Sequence, residues 1–197
     1  MPLTISVIVG SIRPGRQGIG AAKHIEAALL AQGINVHLID PLELNIPLFG
    51  QRFDYIPEAE RSPELKLVHE KFTESDGFVI VTPEYNHAYS PVISSLLNYF
   101  YHSEFYYKVA GIASYSMGPF GGVRAAIQLR AYLGELGLVS IPKILPYPII
   151  QTLLNADGTV QDGAAGAGQL ADTSAKFVSE LLWYTKNLKA ARAAGTP

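Results

Sequence analysis

The chain alternates between unbroken apolar runs and stretches in which apolar residues return every three or four positions. Residues 3–9 (LTISVIV) are a run of the first kind, and it stops at Gly10. From Gly18 to Gln32, Ile19, Ala22, Ile25, Ala28 and Leu29 recur at helical spacing, and Gly33 closes the pattern. Residues 34–39 predict a second short strand, ended by Asp40 and Pro41. A loop punctuated by Pro41, Pro47 and Pro57 follows. Ser62 ahead of Pro63 is an N-cap signal for a helix to about Ser75. Residues 77–82 (GFVIVT) predict a third strand that stops at Pro83, and Ser90-Pro91 opens a helix to about Tyr101. Residues 108–114 predict a fourth strand, and 141–145 a fifth. Between them, 123–136 predicts a helix with Val123, Ala126, Ile127 and Leu133 facing inward. Asn155 to Gly158 reads as a turn. The last helix runs from about 166 to 188, with Leu170, Phe177, Val178, Leu181, Leu182 and Leu188 on one stripe.

Strands that are apolar on both faces belong to a parallel sheet covered by helices. Right-handed crossovers then lead to a doubly wound α/β fold. Five strands fit the flavodoxin-like order 2-1-3-4-5, with helices on both faces, better than the six-stranded dinucleotide fold. The chain has 197 residues, enough for one compact domain over 1–190, and the Ala/Gly-rich end at 191–197 reads as a disordered tail.

Composition narrows the chemistry. A hydrophobic fraction of 48% against 16% charged supports a large core. A net charge of −2 offers no electrostatic footing for nucleic acid. With no cysteine, disulfides, thiolate nucleophiles and Cys-ligated metals drop out. No run approaches the ~18 apolar residues of a membrane span. The opening residues lack the charged and apolar segments of a secretory leader, so a cytoplasmic protein is expected.

Three predicted strand ends carry unusual loops: VGSIRPGRQGIG (9–20), TPEYNHAYSP (82–91) and SYSMGPFGG (114–122). In such a sheet, ligands bind beyond the carboxyl ends of the strands. The first loop opens a helix, whose N-terminus presents free N–H groups and partial positive charge. Ser11 adds a hydroxyl, and Arg13 and Arg16 add cations suited to a phosphomonoester. G-x-x-x-x-G-K-[ST] is missing, and GRQGIG is not the dinucleotide G-x-G-x-x-G. In the second loop Asn86 can donate and accept at the edge of a flavin or base, and Tyr85 and Tyr89 offer ring faces. A surface turn capped by Ser90 is the plainer reading. In the third, Gly118, Gly121 and Gly122 let backbone N–H groups face a ring beside Tyr115 and Ser116.

These residues carry a resemblance. Gly10-Ser11-Ile12-Arg13, Pro83-Glu84-Tyr85-Asn86 and Ser114-Tyr115-Ser116 with Gly121-Gly122 resemble the phosphate, flavin and third loops of the NADPH-dependent FMN reductases, in order, across about residues 3–140. That family includes quinone reductases and azoreductases. The resemblance implies an FMN enzyme that takes hydride from NADPH or NADH and reduces a quinone, azo compound, free flavin or metal ion, with ping-pong kinetics. It implies FMN phosphate binding by Ser11 and Arg13, with Gln17, Gly18 and Ile19 closing over it. Pro83, Glu84, Tyr85 and Asn86 would line the isoalloxazine. Ser114, Tyr115, Ser116, Met117 and Gly118, with Gly121, would hold its pyrimidine side. Many members place a Ser or Thr after the arginine; this chain has Pro14-Gly15-Arg16-Gln17-Gly18, so Arg16 or Gln17 is the substitute donor.

No side chain need act as acid or base, although Tyr85 and His87 are candidate proton donors. The five histidines show no metal-ligand spacing, and no G-x-S-x-G elbow occurs. Residues 99–107 hold six aromatics, which points to a homodimer contact, with a tetramer open, and to a segment lining the neighbour's active site; core plus a rim of the cofactor pocket is the plainer reading. The alternative function is a flavodoxin-like single-electron carrier, which the near-neutral charge disfavours, or a redox-sensing binding protein.

Overall fold

The computed structural model describes residues 2–197. Its one five-stranded sheet is parallel throughout, in the order β2-β1-β3-β4-β5. The strands are β1 (Thr4–Val9), β2 (Asn35–Ile39), β3 (Gly77–Pro83), β4 (Val109–Tyr115) and β5 (Val139–Tyr147). The helices are α1 (Gly18–Leu30), α2 (Pro63–Glu74), α3 (Pro91–Asn98), α4 (His102–Phe105), α5 (Val123–Glu135) and α6 (Ala167–Ala194). The expected order and the covering of both faces are met.

Every residue of β3 and β4 is buried. Their side chains alternate between two cores, as the two-residue strand period requires. Val7, Val9, Val79 and Val81 face α1 and α6, where they meet Ile25, Leu29, Phe177 and Leu181. Ile8, Phe78, Ile80 and Ile112 face α2, α3 and α5, where they meet Val68, Phe72, Leu97 and Leu129. Ser62 caps α2 by accepting from Leu65 N–H at 3.2 Å. Ser90 caps α3 through Ile93 N–H at 3.4 Å.

Four differences from the sequence reading have physical causes. The helix expected over 90–101 breaks, because Tyr99 and Phe100 turn into the core. The buried Glu104 carboxylate then starts α4, accepting from Tyr101 N–H at 3.1 Å, Ser103 Oγ at 2.8 Å and His69 Nδ1 at 2.7 Å. With Phe105 also buried, half of the aromatic run is core. The run sits at the amino-terminal edge of the sheet, leading into β4. In α5, Ile127 is 59% exposed and Leu129 takes the inward place. β5 extends past both ends of 141–145. Finally, α6 continues through residues 191–194, expected in the tail. Lys189 Nζ reaches Asp76 Oδ2 at 2.7 Å, and Arg192 donates to Tyr107 O at 2.9 Å and Asp76 Oδ1 at 3.4 Å.

Lys108 also sits at this amino-terminal edge, its Nζ donating to Phe72 O at 2.9 Å and Thr73 O at 3.0 Å at the end of α2. Burial, and then the nearby Arg192 charge, lower its pKa from 10.5 to about 8. Between those values the unfolded chain binds more protons than the folded one, so this group adds stability as pH rises through the window. In Lys108→Met that contribution is gone. Urea unfolding of both proteins from about pH 8 to 10.5 is expected to show the difference moving in favour of the wild type. A difference independent of pH would refute the assignment.

Candidate functional site

The strand ends converge as the loops predict. A cleft of about 380 Å³ opens at the carboxyl edge, lined from the first loop by Ser11, Arg13, Arg16 and Gln17, from the second by Pro83, Glu84 and Tyr85, and from the third by Tyr115, Ser116 and Met117. Its size suits a small-molecule site. A groove of about 620 Å³ between α1 and α6 is larger, but it draws on none of the three loops.

The first loop begins with a close approach. Gly10 N–H donates to Val81 O at 2.8 Å, and a Cβ there would lie 2.3 Å from the same oxygen. The loop ends at α1, whose N-cap Gln17 makes no side-chain cap bond and whose first turn holds no acidic residue. Gly20 N–H turns back to Gln17 O at 3.1 Å, and the other N–H groups of the first turn are left for a ligand. Gly18 opens α1 pressed on the third loop: a Cβ would lie 2.6 Å from Tyr115 Oη. Burial pushes the Tyr115 hydroxyl up to about 12, against the opposing pull of Ser11 and the Gly18 backbone, so it is neutral at pH 7. Ser11 Oγ shares a hydrogen bond with Tyr85 Oη at 3.2 Å.

The two arginines have different work. Arg16 donates through Nη1 and Nη2 to the two carboxylate oxygens of Asp40, and through Nη1 to Ser11 O at 2.9 Å. It pins the loop to the end of β2, and its charge is met by Asp40. Arg13 makes no ion pair among the described residues; its guanidinium carbon lies 5.5 Å from the Tyr85 ring centroid. Of the two cations expected at the phosphate, Arg13 is the uncommitted one. Gln17 Nε2 donates to Gly15 O at 3.2 Å.

In the second loop, Pro83 is the last residue of β3, in register with Tyr115. Tyr85 and Ala88 exchange backbone hydrogen bonds of 2.9 Å, and Asn86 (φ 52°) and His87 (φ 67°) form the tip of this tight hairpin. Two positive φ values are the signature of a two-residue hairpin turn. Both tip residues are exposed and outside the cleft lining. In the third loop, Ser114 is buried, and its Oγ donates to Gly121 O at 2.7 Å, so it shapes the loop from beneath. Ser116 Oγ donates to Gly118 O at 2.9 Å.

Two residues of the site carried no motif signal. Arg124, in the first turn of α5, donates from Nε to Glu84 Oε1 at 2.7 Å. Asp40 follows β2 and anchors Arg16. Each belongs to the site only through a partner distant in sequence, which residue spacing does not reveal.

The sheet order, together with a crevice built from a helix N-terminus and two further strand-end loops, defines a flavodoxin-like α/β protein. The sequence pattern of the NADPH-dependent FMN reductases matches residues 3–148, and the chain belongs to that family of flavin-dependent oxidoreductases. An NADPH azoreductase of Bacillus sp. (strain OY1-2) is 30% identical over 144 residues, 72% of this chain and 73% of that protein. A 2-hydroxy-1,4-benzoquinone reductase of Burkholderia sp. is also 30% identical over 144 residues, covering 71% and 74%. The flavoenzyme NAD(P)H:(acceptor) oxidoreductase FerB of Paracoccus denitrificans superposes with a TM-score of 0.71 over 92% of this chain and 98% of its own, at 22% identity, which is a likeness of fold.

The contact between Gly18 and Tyr115 is testable. Gly18→Ala is expected to destabilise the protein by about 1–3 kcal/mol, the cost of overpacking. Adding Tyr115→Phe should restore part of that, because the nearest atom is the hydroxyl oxygen. Urea denaturation of both single variants and the double variant reads this, and additive effects would sink it.

Proposed function

We propose that the cleft binds FMN with its phosphate at the start of α1, and that the protein reduces a small acceptor at the expense of NADPH or NADH. One observation carries this reading. The uncapped N-terminus of α1, Ser11 and the unpaired Arg13 meet in a cleft that also holds the second and third loops. When bound, FMN supplies hydride acceptance from the nicotinamide and electron delivery to the acceptor.

The chain's own residues then have distinct tasks. Ser11 Oγ, the Arg13 guanidinium and the N–H groups around Gln17, Gly18 and Ile19 hold the doubly charged monoester. The neutral Tyr115 hydroxyl adds no repelling charge beside it. Pro83, Glu84 and Tyr85 would flank the ring on one side, with Asn86 outside that lining at the hairpin tip. Ser116, Met117 and Gly118 face its pyrimidine side, with Ser114 and Gly121 fixing the shape of that loop. Ser116 N–H is bonded to Tyr147 O at 3.3 Å, so the Met117 and Gly118 N–H groups are the ones that would favour negative charge on that side of the ring. Tyr85 in the cleft and His87 at the hairpin tip are the candidate proton donors to an acceptor. One cleft serving donor and acceptor in turn predicts ping-pong kinetics. We take quinones, azo compounds, free flavin and metal ions as the acceptor class.

A homodimer is part of this reading. Tyr106 and Tyr107 stay 36% and 37% exposed, and they offer a contact between copies. Within one chain they lie at the edge opposite the cleft, so they would line a neighbour's site only in a pairing that sets the two sheets in opposite directions.

The test is titration with FMN. Binding at micromolar levels, followed by NADPH-dependent quinone reduction with parallel double-reciprocal lines, is the expected result. Arg13→Ala should weaken FMN by about 1.5–3 kcal/mol, the scale of a charged hydrogen bond. An unchanged affinity would place the phosphate elsewhere.

A further inference from the structure

The outer rim of the cleft, on the side of the third loop, holds an arrangement of which FMN binding would use only Met117 and Glu84. Met117 is 62% exposed and Phe120 61%. Ile149, whose N–H donates to Gly118 O at 3.1 Å, is 43% exposed. Large apolar side chains kept in water beside a concave site mark a contact surface. Arg124 joins them, its guanidinium carbon 5.0 Å from the Phe120 ring centroid. Its side chain is 42% exposed, while that of its partner Glu84 is 8% exposed. Only Nε is engaged, at 2.7 Å to Glu84 Oε1; the two terminal nitrogens have no hydrogen-bond partner among the described residues.

The chemistry of this arrangement is specific. A buried carboxylate fixes the guanidinium from the Nε side. The remaining donors stay in the open beside an aromatic ring and a thioether. An arginine held in this way presents a planar pair of N–H donors, which matches an oxyanion. Phe120 and Met117 supply the flat, polarisable surface that an aromatic ring takes.

We propose that this rim is the acceptor's docking surface and that it selects flat aromatic anions, such as ring systems bearing a sulfonate, a carboxylate or an ionised hydroxyl. The inference rests on the FMN reading above and names the acceptor for that site. The aromatic body lies against Phe120 and Met117. The anionic substituent meets Arg124, which leaves the ring at the mouth of the cleft.

The experiment uses the FMN-loaded protein at fixed NADPH, with 1,4-naphthoquinone and its 2-sulfonate as acceptors. In the wild type the sulfonate is expected to have the lower KM by roughly tenfold, the scale of a charge-assisted hydrogen bond. That advantage should shrink as ionic strength rises. The double variant Glu84→Gln/Arg124→Gln removes both charges and leaves no buried carboxylate unpaired. In it, the ratio of the two KM values is expected to fall to about one. The inhibition constant of naphthalene-2-sulfonate, which cannot be reduced, should rise in parallel and reports binding alone. Phe120→Ala should raise KM for both quinones. Equal KM values in the wild type, or a sulfonate advantage that survives in the double variant, overturn the inference. A variant effect confined to the KM for NADPH would assign Arg124 to the donor and overturns it too. Failure to bind FMN, or to reduce either quinone, would defeat the cofactor reading instead.

Discussion

The whole site depends on a choice of faces. A parallel sheet covered on both sides offers a ligand only its ends, because its faces are closed by helices. In this chain β1 hands over to α1, which covers one face, while β3 and β4 hand over to α3 and α5, which cover the other. The loops leaving adjacent strand ends must therefore diverge, and the space between them is the cleft. No side chain has to be sacrificed from the core to make room. The same divergence aims the N-terminus of α1 at the gap, so the positive end of its peptide dipoles comes with the topology.

Given that opening, the two arginines of one loop separate into structural and binding roles through burial and partners. Arg16 is largely buried and faces a carboxylate that has few other ways to be satisfied. An arginine held bidentate by Asp40 cannot also grip a phosphate with the same nitrogens. Its third contact, to Ser11 O, positions the serine that precedes Arg13 in the loop. Arg13 keeps its charge free at the mouth. Replacing Arg16 by a smaller hydroxyl donor would bring a direct ligand but would leave Asp40 buried and unpaired, which costs several kcal/mol where a charge is desolvated. The departure from the family's usual loop is thus coupled to the residue that ends β2.

Much of the fold was legible because strands buried on both faces and helices buried on one leave different periods in the sequence. β1, β3 and β4 read cleanly, since nothing polar interrupts their buried positions beyond Ser6, Thr82 and Ser114, each of which is buried. The placing of three loops at one edge followed from the alternation alone. What escaped was set by long-range contacts. The break between α3 and α4 depends on Glu104 collecting donors from α2, from Tyr101 just before α4 and from Ser103 within it. The last turn of α6 is held by Asp76, which lies more than a hundred residues earlier. An Ala/Gly-rich tail carries no local sign of that. Within the site, the loops could be named, but the division of labour between Ser114, which supports, and Ser116, which faces the cleft, is a matter of strand alternation at the last residues of β4, where the strand ends and the alternation gives way to a turn.

The cleft is also tied together by the protein itself. Ser11 meets Tyr85 across the gap, Glu84 N–H reaches Tyr115 O at 3.3 Å, and Arg124 clamps Glu84 from α5. First loop to second, second to third, and second to the helix that follows the third are each joined by a polar contact, so ligand binding need not order the loops from a disordered start. The hairpin tip shows where the chain accepts a cost for this geometry. Asn86 and His87 both sit at positive φ, a conformation that costs an L-residue about 1–2 kcal/mol unless it is asparagine, aspartate or glycine. Asn86 fits that rule, and histidine too is enriched among the non-glycine residues that adopt this conformation. A glycine would make the turn without strain, and the hairpin's own backbone bonds would survive the exchange. What glycine would remove is an imidazole held at the tip of the loop whose Pro83, Glu84 and Tyr85 line the cleft. Strain of this kind persists only where the surrounding structure over-determines it, and here the paired backbone bonds of Tyr85 and Ala88 do so.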